Sequence, residues 1–168
     1  MANVTLRPAV VADAEAIRRI YNHEVMTATS TLDLVARSLD DHHRWIADRS
    51  GAFSAIVAID EAVDGSPLVG FGSLSPYKDR AAYSTTVEDS VYVDRRRAGG
   101  GVGTLLLTRL VETASASGFH SVMARIEASG AASRALHAKC GFELVGVERQ
   151  VGRKFNRWLD VAVMQRLL

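Results

Sequence analysis

The chain has 168 residues, of which 48% are apolar and 23% charged, and carries a net charge of +1. That length suits one domain over 1–168 with room for a substantial core. The near-neutral balance gives no electrostatic reason to expect a nucleic acid or a membrane surface as partner. No apolar run approaches the ~20 residues of a bilayer-spanning helix. The single cysteine, Cys140, excludes an internal disulfide framework. Met1-Ala2-Asn3-Val4-Thr5-Leu6-Arg7-Pro8 lacks the basic start and apolar core of a signal peptide, so the cytoplasm is the expected location.

Taken in chain order, Val4 to Arg7 reads as a short strand stopped by Pro8. Asp13 is placed to cap a helix carrying Ile17, Ile20, Tyr21 and Val25. Ser38, with Asp41 three residues on, predicts a second capped helix with Trp45 and Ile46 inward. Phe53 to Ile59 and Leu68 to Leu74 read as strands around an Asp64-Gly65 turn. Thr86 to Val93 reads as another, with Val87, Val91 and Val93 on one face. A glycine cluster, Gly99-Gly100-Gly101-Val102-Gly103, follows directly. Leu105, Leu106, Leu110, Val111 and Ala114 then recur at helical spacing until Gly118. Ser121 to Ile126 is a strand, and Ala131 to Cys140 a helix stopped by Gly141. Phe142 to Val147 and Leu159 to Met164 are the last strands. The order is mixed α/β without the regular alternation of a doubly wound fold.

A strand, a glycine turn and a helix together make an anion-binding arrangement. The first helical N–H groups lack internal partners, the helix dipole favours negative charge, and glycine permits close approach. No Lys-Ser or Lys-Thr pair follows these glycines, so they are not a P-loop. Gly-x-Gly-x-x-Gly also fails, ending on Thr104 from Gly99 and on Leu106 from Gly101. From spacing alone, either an anion-binding turn or a turn without a ligand remains open.

Glu88 sits mid-strand, where a carboxylate is unexpected. It reads either as a site base or as an edge residue facing water. Asp89 points to the opposite face, so the two do not serve one site. Cys140, at a helix end without a neighbouring base, reads as buried and inert. His23, His42 and His43 lack metal-ligand spacing, and no metal is expected.

From Arg7 to Leu168 the chain resembles the GNAT superfamily of N-acetyltransferases, and within it the phosphinothricin and methionine-sulfone branch. The resemblance rests on several segments in order. They are Ile20-Tyr21-Asn22-His23, Ser75-Pro76-Tyr77-Lys78-Asp79-Arg80, Thr86-Val87-Glu88-Asp89-Ser90-Val91-Tyr92-Val93 and Gly101-Val102-Gly103. Ala135-Leu136-His137, Cys140-Gly141-Phe142, Val151-Gly152-Arg153-Lys154-Phe155 and Arg157-Trp158-Leu159-Asp160 complete it.

The resemblance implies a mostly antiparallel twisted sheet of about seven strands with about four flanking helices, splayed at an acetyl-CoA site. Val91 and Val93 would offer backbone groups to the pantetheine arm. Ala98, Gly99, Gly100, Gly101, Val102, Gly103 and Thr104 would hold the pyrophosphate through backbone N–H groups. Ala98 stands where the superfamily has Gln or Arg, and Gly130 where the branch has Asn, three residues before Ser133. Arg95, Arg96 and Arg97 read either as substitute charge for the cofactor or as a solvated basic turn.

Acetyl transfer needs a neutral amine, hence a general base. The branch places its catalytic glutamate at Glu88. His137 stands at the superfamily's acid position, able to protonate the leaving thiolate. A backbone N–H, that of Tyr92, is the candidate to meet the developing oxyanion. For the acceptor the branch implies Lys78, Arg80 and Tyr83, together with Leu32 in place of an aromatic, and Lys154 at the start of a stretch that closes the site near a dimer contact. The implied reaction is direct acetylation of the α-amine of phosphinothricin, methionine sulfone or methionine sulfoximine by a homodimer. The alternatives are a peptide or protein acetyltransferase and a non-catalytic acetyl-CoA-binding protein.

Overall fold

β1 (Val4–Pro8) opens the chain in a computed structural model that describes residues 4–63 and 67–168. Pro8 is tolerated because β1 is an edge strand, where a missing N–H removes no essential ladder bond. α1 (Ala14–Thr27) follows and buries Ala14, Ile17, Ile20, Tyr21 and Val25 at helical spacing. Asp13 precedes it but does not cap it. The residue is already helical, with φ −80° and ψ −9°. Its carboxylate turns back to accept the Val10 N–H at 2.8 Å and a two-pronged Arg7 pair at 2.7 and 2.8 Å.

α2 (Leu39–Ala47) is capped as expected: Ser38 Oγ accepts the Asp41 N–H at 3.1 Å and Asp41 accepts the Ser38 N–H at 3.0 Å. Phe53 belongs to a 3₁₀ turn rather than a strand, and β2 begins later, at Ile56–Asp60. The expected Asp64-Gly65 turn lies outside the described residues. β3 (Leu68–Pro76), β4 (Thr86–Val93), α3 (Val102–Ala116), β5 (Ser121–Glu127) and α4 (Ala131–Lys139) follow. β6 (Glu143–Lys154) and β7 (Arg157–Leu167) are longer than their apolar stretches suggest. They form a hairpin whose turn residues, Phe155 and Asn156, have φ of 49° and 57°, the conformation that two-residue hairpin turns require.

One seven-stranded sheet runs in the order β1-β2-β3-β4-β5-β7-β6. Every neighbouring pair is antiparallel except β4 and β5. On one face Val57, Ile59 and Phe71 pack against α1 and α2. On the other, Ala58 and Val69 lie under Val102 and Leu106 of α3, while Leu74, Val87, Val122 and Ala124 meet Leu107, Leu110 and Phe142. Leu105, expected inward, is 45% exposed; Leu107 takes the buried position on that helix. Among the described residues no helix is long and apolar enough to cross a membrane.

Candidate active site

The sheet opens where its parallel pair, β4 and β5, parts. β4 and β5 are in register from Thr86–Ser121 to Glu88–Met123 and then separate. β4 runs on to Val93 and β5 to Glu127, while the far side of β5 stays paired with β7. The Asp94 N–H donates to the Val69 carbonyl at 2.9 Å, and the β3 register places Phe71 opposite Tyr92. Antiparallel alternation therefore directs the Tyr92 N–H to β3, and the N–H and C=O groups of Val91 and Val93 into the opening. The backbone of Val91 and Val93 therefore borders the opening. The Tyr92 N–H is not free to meet an oxyanion.

Both splayed strands lead into helix N-termini at the open end. Gly101 precedes α3 at φ +84°, a left-handed conformation natural to glycine, and has no side chain to cap the helix. Ala98, Gly99, Gly100 and Gly101 are exposed before the helix, and Val102, Gly103 and Thr104 form its first turn with N–H groups available to an anion. Gly130 precedes α4 in the same way, and Ser133 lies in the first turn of that helix. A Cβ at Gly130 would come within 3.0 Å of the Glu127 carbonyl, so this turn suits glycine. The three arginines each have a carboxylate partner, and the side chains of Arg95 and Arg96 stay more than half exposed. Arg95 pairs with Glu24 at 2.8 Å, Arg96 with Asp94 at 2.7 Å, and Arg97 with the fully buried Asp60. Arg95 and Arg97 tie the turn before the glycine loop to α1 and β2, while the Arg96 pair is local to the turn. The opening and the two helix N-termini could hold a ligand with an amide-bearing arm and phosphate groups.

Glu88 occupies the last paired position of β4, at the apex of the opening, and faces the α1–α2 side. It is half-buried and makes no hydrogen bond or ion pair among the described residues. Burial pushes its carboxyl above the ordinary range. Arg125, itself paired with Glu148 at 2.5 Å, pulls the other way, and Asp89 and Glu148 push it further up. A carboxylate with free lone pairs and raised basicity has the properties of a general base.

His137 lies on the opposite side of the sheet, 4% exposed, reaching from α4 to Asp89 of β4. Its Nε2 meets the Asp89 carboxylate at 3.0 Å and its Nδ1 meets the Ser133 carbonyl at 2.8 Å. The Ser133 carbonyl and an ionised Asp89 both accept, a setting that favours the doubly protonated ring. Burial opposes that charge, but the Asp89 bond and charge outweigh it and raise the pKa above the ordinary histidine value. Asp89 was legible only as a residue on the wrong face for Glu88; its pairing with a residue 48 positions away was not.

The acceptor residues expected from the resemblance do not all gather. Lys78 and Arg80 are exposed on the loop before β4. Lys78 Nζ rests 4.7 Å from the Tyr77 ring and 5.1 Å from that of Tyr83. Arg80 makes no ion pair among the described residues. Lys154 instead lies buried at the hairpin tip and donates to the Thr31 carbonyl at 2.7 Å. Leu32 leans on Gly152, where a Cβ would require the leucine side chain to shift. Cys140 is buried, as expected, and its carbonyl accepts from Arg166.

Residues 6–163 match the family model described as an acetyltransferase (GNAT) domain. Over 169 aligned residues the chain is 36% identical to phosphinothricin N-acetyltransferase of Streptomyces coelicolor, covering 99% of this chain and 98% of that one. It is 37% identical to the L-methionine sulfoximine/L-methionine sulfone acetyltransferase of Pseudomonas aeruginosa, over 97% of this chain and 94% of the relative. A phosphinothricin acetyltransferase from Sinorhizobium meliloti, solved in complex with acetyl-CoA, superposes with a TM-score of 0.89 at 36% identity. That match covers 98% of this chain and 88% of the solved one. A sheet splayed between its two parallel strands, helix N-termini at the open end and these full-length likenesses agree: the chain belongs to the GNAT family of N-acetyltransferases.

Proposed function

We propose that this protein transfers the acetyl group of acetyl-CoA directly to the α-amine of a small amino acid with a polar tetrahedral side chain, of the phosphinothricin, methionine sulfone or methionine sulfoximine type. The observation that carries the reading is Glu88, a partner-free carboxylate of raised basicity at the apex of the opening. The likeness to relatives that act on these compounds supports the choice of acceptor.

Acetyl-CoA supplies an acetyl thioester. The open backbone edge of Val91 and Val93 and the first turns of α3 and α4 would bind it, and Ala98 and Gly130 cost it side-chain contacts but no backbone donors. Glu88 faces the α1–α2 side, so the acceptor enters there, with Lys78, Arg80 and Tyr83 at the rim to hold its carboxylate. Glu88 takes the ammonium proton, which frees the lone pair that attacks. The N–H of Val91, the outward-facing one nearer Glu88, rather than that of Tyr92, would meet negative charge developing on the acetyl oxygen, leaving Val93 to the arm of acetyl-CoA. His137, behind the sheet, would return a proton to the departing thiolate, giving up its bond to Asp89 or to the Ser133 carbonyl to do so. The reaction thus runs through the sheet, with base and acid on opposite faces.

The protein acts as a homodimer in this reading. β6 is a 12-residue edge strand with Leu144 51%, Val145 60%, Val147 47% and Val151 53% exposed, and such an edge calls for a cover. The test of function is a kcat/KM comparison of the three amino acids against lysine, spermidine and a short peptide. Preference for the amino acids supports the reading; a preference of tenfold or more, about 1.4 kcal/mol, for polyamine or peptide overturns it.

A further inference from the structure

Between the β3–β4 face and helices α1 and α2 lies a cavity of about 170 Å³. Ser73 and Ser75 of β3 and Ser90 of β4 are among its floor, and Arg37, Trp45 and Arg49 are among its roof. The floor belongs to the same sheet face as Glu88. Ser75 is directly opposite Glu88 in register, and Ser90 is two residues beyond it on β4. A ligand whose amine rests at Glu88 therefore has this cavity beside it.

The hydrogen-bond inventory of the cavity is incomplete. Arg49 Nη1 donates to the carbonyls of Phe53 at 2.9 Å and Leu74 at 2.8 Å, and Nη2 donates to Ser75 Oγ at 3.2 Å. Its guanidinium carbon sits 4.3 Å from the Trp45 ring centre. The geometry is thus fixed, yet Arg49 Nε is buried and has no hydrogen-bond partner among the described residues. No carboxylate pairs with Arg49 among the described residues, whereas Arg37 has Asp33 at 2.8 Å. The hydroxyls of Ser73 and Ser90 also make no hydrogen bond among the described residues. Buried His42, whose pKa burial pushes below the ordinary histidine value, meets the Ser38 carbonyl through Nδ1 and offers Arg49 no negative charge. A buried donor without an acceptor costs about 1–3 kcal/mol, so a site that keeps one beside free hydroxyls is built for an oxygen-rich guest. Pockets that enclose a whole small ligand run to about 300–1,000 Å³, so this one suits a single end of a molecule.

We propose that this cavity receives the oxygenated, tetrahedral side-chain end of the acceptor, with Arg49 Nε and the Ser73 and Ser90 hydroxyls donating to its oxygens. The inference rests on the acceptor reading above and adds the residues that select the side chain. Arg49 acts here as a specificity residue, distant from the transferred acetyl.

The experiment measures kcat/KM for methionine sulfone and for methionine, whose thioether lacks the two oxygens, in the unaltered protein, in Arg49→Lys and in Ser73→Ala. The sulfone-to-methionine ratio should fall by about tenfold or more in Arg49→Lys and by about threefold in Ser73→Ala, the effects of losing a charged and a neutral hydrogen bond. A structural role alone would lower both substrates equally, and an unchanged ratio overturns the assignment. Ser73→Ala leaves every anchoring bond of Arg49 in place, so it decides the matter if Arg49→Lys does not fold. No turnover of either compound by the unaltered protein would overturn the acceptor reading, and this inference with it. Turnover of the sulfone with an unchanged ratio in the variants overturns this inference alone.

Discussion

Glu88→Gln separates catalysis from folding in one substitution. The side chain keeps its shape and loses its charge, and it breaks no native bond, because Glu88 makes none among the described residues. A positioned general base contributes about 10²–10⁴-fold, equivalent to about 2.7–5.4 kcal/mol of barrier. The variant should lose kcat/KM on that scale while acetyl-CoA affinity by calorimetry stays the same. Its pH profile should change as well. With the unaltered protein, activity rises with pH through the raised Glu88 pKa, and that limb should vanish in the variant. The sign for stability is opposite. A carboxyl whose folded pKa exceeds its unfolded value supports the fold while protonated, and that support is lost as pH rises through the folded pKa. At neutral pH the native carboxylate is therefore a burden, and Glu88→Gln should melt no lower than the unaltered protein. A variant that keeps full activity, or loses activity together with its melting temperature, would refute the assignment of Glu88.

The Asp89–His137 pair predicts the opposite stability limb. Its stabilisation is complete below the ordinary histidine pKa and is lost as pH rises through the raised value. Urea melts across pH should show this loss, and Asp89→Asn should abolish it and destabilise the fold at neutral pH by about 3–5 kcal/mol. Gly101→Val should weaken acetyl-CoA binding in calorimetry by tenfold or more, about 1.4 kcal/mol, because a β-branched residue disfavours the φ of +84° that aims the first turn of α3. Val145→Lys with Val147→Lys should shift the protein from dimer to monomer in light scattering, since both side chains lie on the exposed edge strand.

Strong local patterns were legible in the sequence. β4 runs over Thr86–Val93 as the alternating valines require, and Gly101 and Gly141 end or begin helices with φ of +84° each. Weaker signals gave way to tertiary context. β6 and β7 exceed their apolar stretches because an edge hairpin is held by its ladder and turn, and half its residues face water. Asp13 looked like a cap but is claimed by Arg7 and Val10, which only the packing of β1 against the α1 entry brings together.

The site divides in the same way. The glycine loop and Glu88 carry local signatures, so residue type and spacing marked them as candidates and the family resemblance gave them their roles. The arginine triplet did not reveal its partners, since Glu24 and Asp60 are distant in sequence. Arg37 and Arg49 gave no signal, because a lone arginine near a helix end is ordinary until its Nε is found buried without an acceptor. The opposition of Glu88 and His137 across the sheet follows from strand alternation in β4 together with the position of α4, and only the first of these could be read from the chain.

Direct transfer requires the amine at Glu88 to attack while acetyl-CoA is still bound. Initial rates measured over a grid of acetyl-CoA and methionine sulfone concentrations test it most directly. Lines that intersect in double-reciprocal form, as a ternary complex requires, are the predicted result. Parallel lines, together with an acetyl mass on the protein in the absence of acceptor, would contradict it by showing that the acetyl group first rests on the enzyme.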